Sequence, residues 1–418
     1  MSDVRNNFNI GSYITVKVTN DPVTNGNNLL EAYKNSKNTK PNNQVLNAEN
    51  RLSIIIPPGN YDLGTQTLLL DTQYIDIIGS TNAKEQHFIY SNIYIQNRGV
   101  IKQTVNDVKI KNLRVKNTNN TFVTNLLTSD PAVYLPASNI LGTQKTEIEN
   151  VIFECIEGSS YSTAITSNYI QYQGKYTKVI TGSRSFDYIE SQAVLTDCES
   201  TGDYSYGWKG IDGYLIRCRG QNYCFGSSIS ADYYTSFGDL KDCIGANYCF
   251  FYNTSFFGSL KDCTGDAYSF CSKNGIVNYL DSGGFIENCR SHGNGSFCSS
   301  SVGDKIFNNY GVFINCITQG NGSFSYNETC NSVFINCTAN SISDYCFGSR
   351  TEGSNPYPIY GKFINCNAFG NYCFGYANII YATFINCNSL MNSFVATTSQ
   401  NNLGVYMNCV GTSPSFNI

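Results

Sequence analysis

Residues 311–390 carry a phrase that returns four times. Residues 311–326 read GVFINCITQGNGSFSY, 332–349 read SVFINCTANSISDYCFGS, 362–376 read KFINCNAFGNYCFGY, and 383–390 read TFINCNSL. Phe-Ile-Asn-Cys closes at Cys316, Cys337, Cys366 and Cys387. A second phrase follows most copies: an aromatic residue or Ser, then Cys or Phe, then small residues. Self-similarity at a short fixed period is the mark of a chain that stacks one small unit on itself. Working outward, a looser form of the phrase ends at Cys155, Cys198, Cys218, Cys243, Cys263, Cys289 and Cys409. From Cys198 onward the units are about 23 residues long and hold short β runs with no helical segment. Leucine-rich repeats have a similar length, but their Leu-x-x-Leu-x-Leu frame is missing. Propeller blades need about forty residues. A coiled parallel β-helix fits both the length and the composition.

The phrase contains a parity problem. An apolar residue stands three before each Cys, as at Leu240, Leu260, Phe313, Phe334, Phe363 and Phe384. In a plain strand those two positions face opposite sides. Asn or Asp just before the Cys tolerates the left-handed backbone that a bend requires. A bend at Asn315, Asn336, Asn365 and Asn386 would turn both the Phe and the Cys inward. The Asn side chains would then stack and bond to one another. Cys243, Cys263, Cys316, Cys337, Cys366 and Cys387 would form a column of buried, reduced thiols. Coil spacing of about 4.8 Å holds them farther apart than a disulfide prefers.

Composition narrows the class. The chain has 418 residues, 14% charged, with 31 Tyr, 25 Phe and 18 Cys. A net charge of −4 gives no general attraction to nucleic acid or to anionic membranes. No apolar run is long enough to span a bilayer, and no signal peptide is apparent at the N-terminus. These features predict a protein made in the cytoplasm, with no membrane insertion and no nucleic-acid partner. No phosphate-binding loop, dinucleotide fingerprint or Cys-x-x-Cys occurs, so no cofactor or metal is expected.

Along the chain three regions are expected. Residues 1–50 form an N-terminal cap, with a short helix around Asn27–Lys34, capped by Asn, lying over the first coil. Residues 51–197 are divergent coils, with 118–137 and 158–185 read as loops leaving the stack. Residues 198–418 are regular Cys/Asn/Phe coils and a C-terminal tail.

The run from Asn25 to Ala32 followed by Ile55-Ile56-Pro57-Pro58-Gly59-Asn60-Tyr61 resembles the opening of bacteriophage tail-spike and tail-fibre proteins. The repeats resemble the right-handed parallel β-helix of the pectin-lyase-like superfamily over most of residues 20–410. That resemblance implies an all-β solenoid of about fifteen coils, a homo-oligomer (trimer or filament), and recognition of a cell-surface polysaccharide. It does not bring the family's chemistry with it. The superfamily's lyases and hydrolases use clustered Asp, with Arg or His nearby. This chain has no Asp-Asp pair, and its two His are His87 and the turn residue His292.

Two sites are singled out. Around the sole Trp, Asp203, Trp208 and Asp212 fall in one segment, and Asp232, Tyr233 and Tyr234 one coil later. Paired carboxylates beside an aromatic platform could hold or hydrolyse a sugar; a solvated loop whose Trp packs on the stack is the simpler reading. Two before each Cys the side chain should point outward, and there stand Ile314, Ile335, Ile364, Ile385 and Met407. An apolar outer row is either a subunit interface or is covered by a loop of the same chain. The expectation is a structural or receptor-binding component of a virus particle, tail or surface filament, with no catalytic residue assigned. A polysaccharide-degrading tail spike or a cellular adhesin is the alternative.

Overall fold

In a computed structural model the chain divides into two compact units, Met1–Gly182 and Ser183–Ile418. The structure describes residues 12–93, 99–119, 133–134, 146–154, 165–166, 174–181, 193–207, 210–227, 235–271, 279–297, 306–322, 324, 329–340, 346–347, 358–371, 373–374, 379–392 and 403–412. Both units are parallel β-helices: successive strands pair in parallel with the strand one coil away.

The first unit begins with Ser12–Thr15 paired to Leu52–Ile56, and with helix α1 (Pro22–Ser36) packed against Gly59–Asp62. The helix starts earlier than the sequence reading placed it. Its cap is Asp21, whose carboxylate accepts from Thr24 N, and Pro22 sits in the first turn. An Asp-Pro start sets φ in advance and satisfies an orphan N–H, so it outcompetes the Asn pair further on. Leu29 and Tyr33 face the stack and are buried. The Tyr33 hydroxyl accepts from Asp71 N at 2.8 Å and Thr72 N at 3.2 Å, which pins the helix over the coil.

The main sheet of this unit runs through Leu52–Ile56, Ile75–Gly79, Val108–Asn117 and Thr146–Glu154. The two long strands show the parity shift directly. Ile110 and Leu113 are both inside, separated by the half-exposed pair Lys111 and Asn112. Asn112 has φ 58° and Asn150 has φ 54°. Arg51 forms an ion pair with the buried Asp76, which also accepts from Lys109 N at 2.9 Å. The two segments read as excursions both return to the stack. Val133–Tyr134 pairs with Ile101, Ile165–Thr166 pairs with Val133–Tyr134, and Gly174–Thr177 pairs with Thr146–Glu149. Their polar composition hid them, because strands this short carry too few residues to alternate visibly.

In the second unit the strand of the repeated phrase stacks from Val194–Thr196 to Val405–Met407 in unbroken register: Leu215 on Leu240, Phe313 on Phe334, Phe363 on Phe384. Beyond the bend a second sheet runs from Thr264–Gly265 to Val410–Thr412, and a third from Tyr279–Ser282 to Ile379–Ile380.

The core between these sheets is aromatic. Phe313, Phe334, Phe363, Phe384 and Tyr406 stack at 4.8–5.1 Å. A second column, including Phe250, Phe270, Phe297, Phe324, Phe347 and Phe374, stacks at 4.6–4.9 Å. The columns meet edge to face, as at Phe347–Phe363 with 6.0 Å and 86°. Rings stacked along the axis and perpendicular across it satisfy both favoured aromatic geometries at once. Beside them runs the cysteine column. The sixteen described cysteines are free, and all but Cys409 are buried. The Cys337 and Cys366 thiols donate to the Phe313 and Phe334 carbonyls one coil back, each at 3.5 Å.

Candidate functional site

The repeated phrase builds an outer face whose chemistry changes along the second unit. In each coil the Phe points in, the Ile points out, and the next residue bends the chain. Asn288, Asn315, Asn336, Asn365, Asn386 and Asn408 all lie at φ 51–55°. Their amides are linked. Each Nδ2 donates to the Oδ1 one coil back, at 3.1 Å from Asn315 to Asn288, 3.2 Å from Asn336 to Asn315, and 3.1 Å from Asn365 to Asn336. The column begins on Asp262, whose carboxylate accepts from Asn288 at 3.0 Å. Asn adopts the left-handed bend at low cost and leaves an amide free to bond along the axis, which explains its use here.

Ile314, Ile335, Ile364, Ile385 and Met407 stand outward in register, as the sequence predicts. The four Ile are half-buried because each covers the next; Met407 is 45% exposed. Beside them the row of Val312, Val333, Lys362, Thr383 and Val405 faces the same way. In the earlier coils the same two rows are mixed: Tyr214 with Ile216, Asp239 with Lys241, Ser259 with Lys261, and Phe285 with Glu287, where Lys261 and Glu287 of adjacent coils ion-pair at 2.9 Å.

A third element of this face went unread in the sequence. Phe237, Phe257, Tyr310, Tyr360 and Tyr381 form an exposed aromatic column, 59% exposed at Phe237 and 52% at Tyr360. Tyr360 and Tyr381 stack at 5.1 Å. The signal was an aromatic six positions before Cys243, Cys263, Cys316, Cys366 and Cys387. Next to it lies a turn of small residues. A Cβ on Gly258 would sit 2.0 Å from the Gly238 carbonyl oxygen, so the backbones of adjacent coils approach there as only glycine allows.

The acidic group around Trp208 is only partly described: Trp208, Asp232, Tyr233 and Tyr234 lie outside the described residues. Asp203 and Asp212 are half-buried. Both carboxylates accept backbone N–H groups of the next coil, Asp203 from Asn222 and Asp212 from Phe237, each at 3.1 Å. Asn222 does the same to Asn247, and Asn247 to Ala267, each at 3.2 Å. Asp203 thus heads a column of side-chain rungs. Beside it Tyr204, Tyr223, Tyr248 and Tyr268 stack at 4.7–5.3 Å, and burial, with Tyr204, Tyr248 and Asp203 nearby, pushes Tyr223 up to about 12. Stacked in this way the rings present edges and hydroxyls outward, while their faces are taken by each other.

His87 is buried, bonded to the Ala83 carbonyl and Ser80 hydroxyl, and burial lowers its pKa. His292 bonds to Gln319 at 3.1 Å across adjacent coils. Burial raises the thiols of Cys243, Cys289 and Cys337 well above the usual range. Among the described residues, no cluster of three metal-ligating side chains occurs.

The register and the inward Phe and Cys columns define the class: a parallel β-helix protein. No family model and no curated protein matches the chain. The solved structures to which it is similar include three parallel β-helix proteins. The catalytic domain of a GH87 alpha-1,3-glucanase in complex with tetrasaccharides is 10% identical, with 95% of this chain and 69% of that chain covered and a TM-score of 0.40. PfbA, a surface adhesin of Streptococcus pneumoniae, is 9% identical, covering 95% and 93%, with a TM-score of 0.30. Pectin methylesterase PemA from Erwinia chrysanthemi is 10% identical, covering 76% and 89%, with a TM-score of 0.28. Likeness of this order bears on no activity or ligand.

Proposed function

We propose that this chain is a structural or receptor-binding component of a surface assembly, such as a virus particle, tail or filament, and acts through its outer face rather than through catalysis. The observation that carries this reading is the apolar double row over the last five coils, edged by exposed aromatics. Exposed apolar area of this regularity is costly in water and is usually covered in use. Its repetition at every coil gives a surface that a partner can meet at many equivalent points. The same design serves attachment or assembly, on a virion or outside a cell.

The test is the double substitution Ile335→Lys and Ile364→Lys. Both residues point outward, so the fold should persist by circular dichroism while any assembly seen by light scattering and negative-stain microscopy is lost. An unchanged mass would reject the reading. Release of reducing sugar from surface polysaccharide, abolished by Asp203→Asn, would replace it with the hydrolytic alternative.

A further inference from the structure

We propose that the outer face pairs with the same face of a second copy, the two solenoid axes parallel and in register. This rests on the reading above and names the partner. The face has two outward columns, one containing Val312, Val333 and Lys362, the other Ile314, Ile335 and Ile364. If a two-fold axis runs along the solenoid between them, each coil meets its own copy, and each column lies over the other.

Charge selects this arrangement. In the coil of Asp239 and Lys241, the two columns carry opposite signs. Neither side chain forms an ion pair among the described residues. Parallel pairing sets Asp239 opposite Lys241 of the second copy, and the symmetry makes that contact twice. Exposed Lys362, the one charge in the apolar double row, then lies over Ile364, with its ammonium free to reach the edge. The antiparallel alternative, with its axis across the centre of the apolar coils, puts Lys362 against its own mate. It also carries the Asp239 coil past the end of the described coils. Like charges face to face are the stronger penalty.

The area is sufficient. The eight coils from Asp239 to Met407, about 4.8 Å apart and each offering two outward positions roughly 7 Å apart along a strand, give roughly 1,000 Å² over two copies. That is the lower edge of what a specific interface buries. The aromatic column of Tyr310, Tyr360 and Tyr381 borders it, where aromatic residues are most useful.

The experiment is a charge swap in the full chain, read by sedimentation equilibrium at low salt and checked by circular dichroism. Asp239→Lys and Lys241→Asp alone each set like charges opposite one another and should weaken pairing by about tenfold. The double swap restores opposite signs and should recover wild-type association. A wild-type chain that stays a monomer at all concentrations overturns both this proposal and the assembly reading. A wild-type assembly of three or more copies, or a pair whose affinity the single reversals leave unmoved or the double swap fails to restore, overturns the parallel two-fold pairing alone.

Discussion

Replacing Asn336 tests the bend on which the repeat depends. Asn336 is exposed, has φ 54°, donates to Asn315 Oδ1 at 3.2 Å and accepts from Asn365 Nδ2 at 3.1 Å. Two costs can be separated. A residue with a Cβ held in the left-handed region costs about 1–2 kcal/mol where its side chain cannot help. Each solvent-exposed amide bond contributes at the lower end of roughly 0.5–1.5 kcal/mol. Asn336→Gly removes the bonds but fits the backbone, and loses a further 0.4–1 kcal/mol or so through a looser unfolded chain. Asn336→Ala removes the same bonds and adds the strain. The expected losses are about 1.5–2 kcal/mol for Gly and about 2–3 kcal/mol for Ala. Urea unfolding followed by far-ultraviolet circular dichroism measures both. Equal stability of the two variants, or an Ala variant more stable than Gly, would refute the left-handed bend and with it the account of how Phe and Cys both turn inward.

Phe334 is fully buried, stacked on two rings and edge-on to two more, so Phe334→Ala should cost about 4–5 kcal/mol, the top of the usual range, in the same urea assay. Phe237→Ala, at an exposed ring with one ring contact among the described residues, should cost under about 1 kcal/mol. The thiol column gives a pH prediction. Burial raises Cys243 and Cys289 well above the usual thiol range, so the folded chain keeps them neutral while the unfolded chain ionises. Stability is therefore full below the unfolded pKa near 8.5 and is lost as pH rises beyond it, and the urea midpoint should fall between about pH 8 and 10. An unchanged midpoint would contradict neutral thiols at Cys243 and Cys289. In the first unit Asp76→Ala leaves the half-buried Arg51 with the Asp107 carbonyl but no carboxylate, and Lys109 N without its acceptor, and should cost about 3 kcal/mol or more by thermal unfolding.

The repeat was legible because its residues solve a geometric problem in an unusual way. Phe and Cys three apart cannot share one face of a strand, and Asn or Asp between them supplies the bend. Where that bend falls on Arg217 or Lys178, both at positive φ, the side chain gives no such hint, and stacking on the neighbouring coils imposes it. The second phrase was harder. Tyr223 and Phe225 are both left-handed, at φ 53°, and nothing in an aromatic residue announces that conformation. Aromatic columns on neighbouring coils stabilise it, and that is visible only once the coils are aligned. Alignment also changes the meaning of Asp203. Taken alone it is a carboxylate near a Trp, but placed above Asn222 and Asn247 it becomes one rung of a backbone-binding column. The apolar row was read correctly as outward, whereas the aromatic column beside it was missed because Gly283 and Asn331 interrupt it.

The amide column has a polarity. Every side-chain NH2 in it points toward the preceding coil and every oxygen toward the next, so six small dipoles add head to tail along the outside of the stack. The positive end of that line meets a carboxylate, Asp262, much as an acidic cap meets the start of an α-helix. The electrostatics of a helix terminus are thus rebuilt from side chains alone, and a neutral amide at position 262 would leave the line without its matching charge.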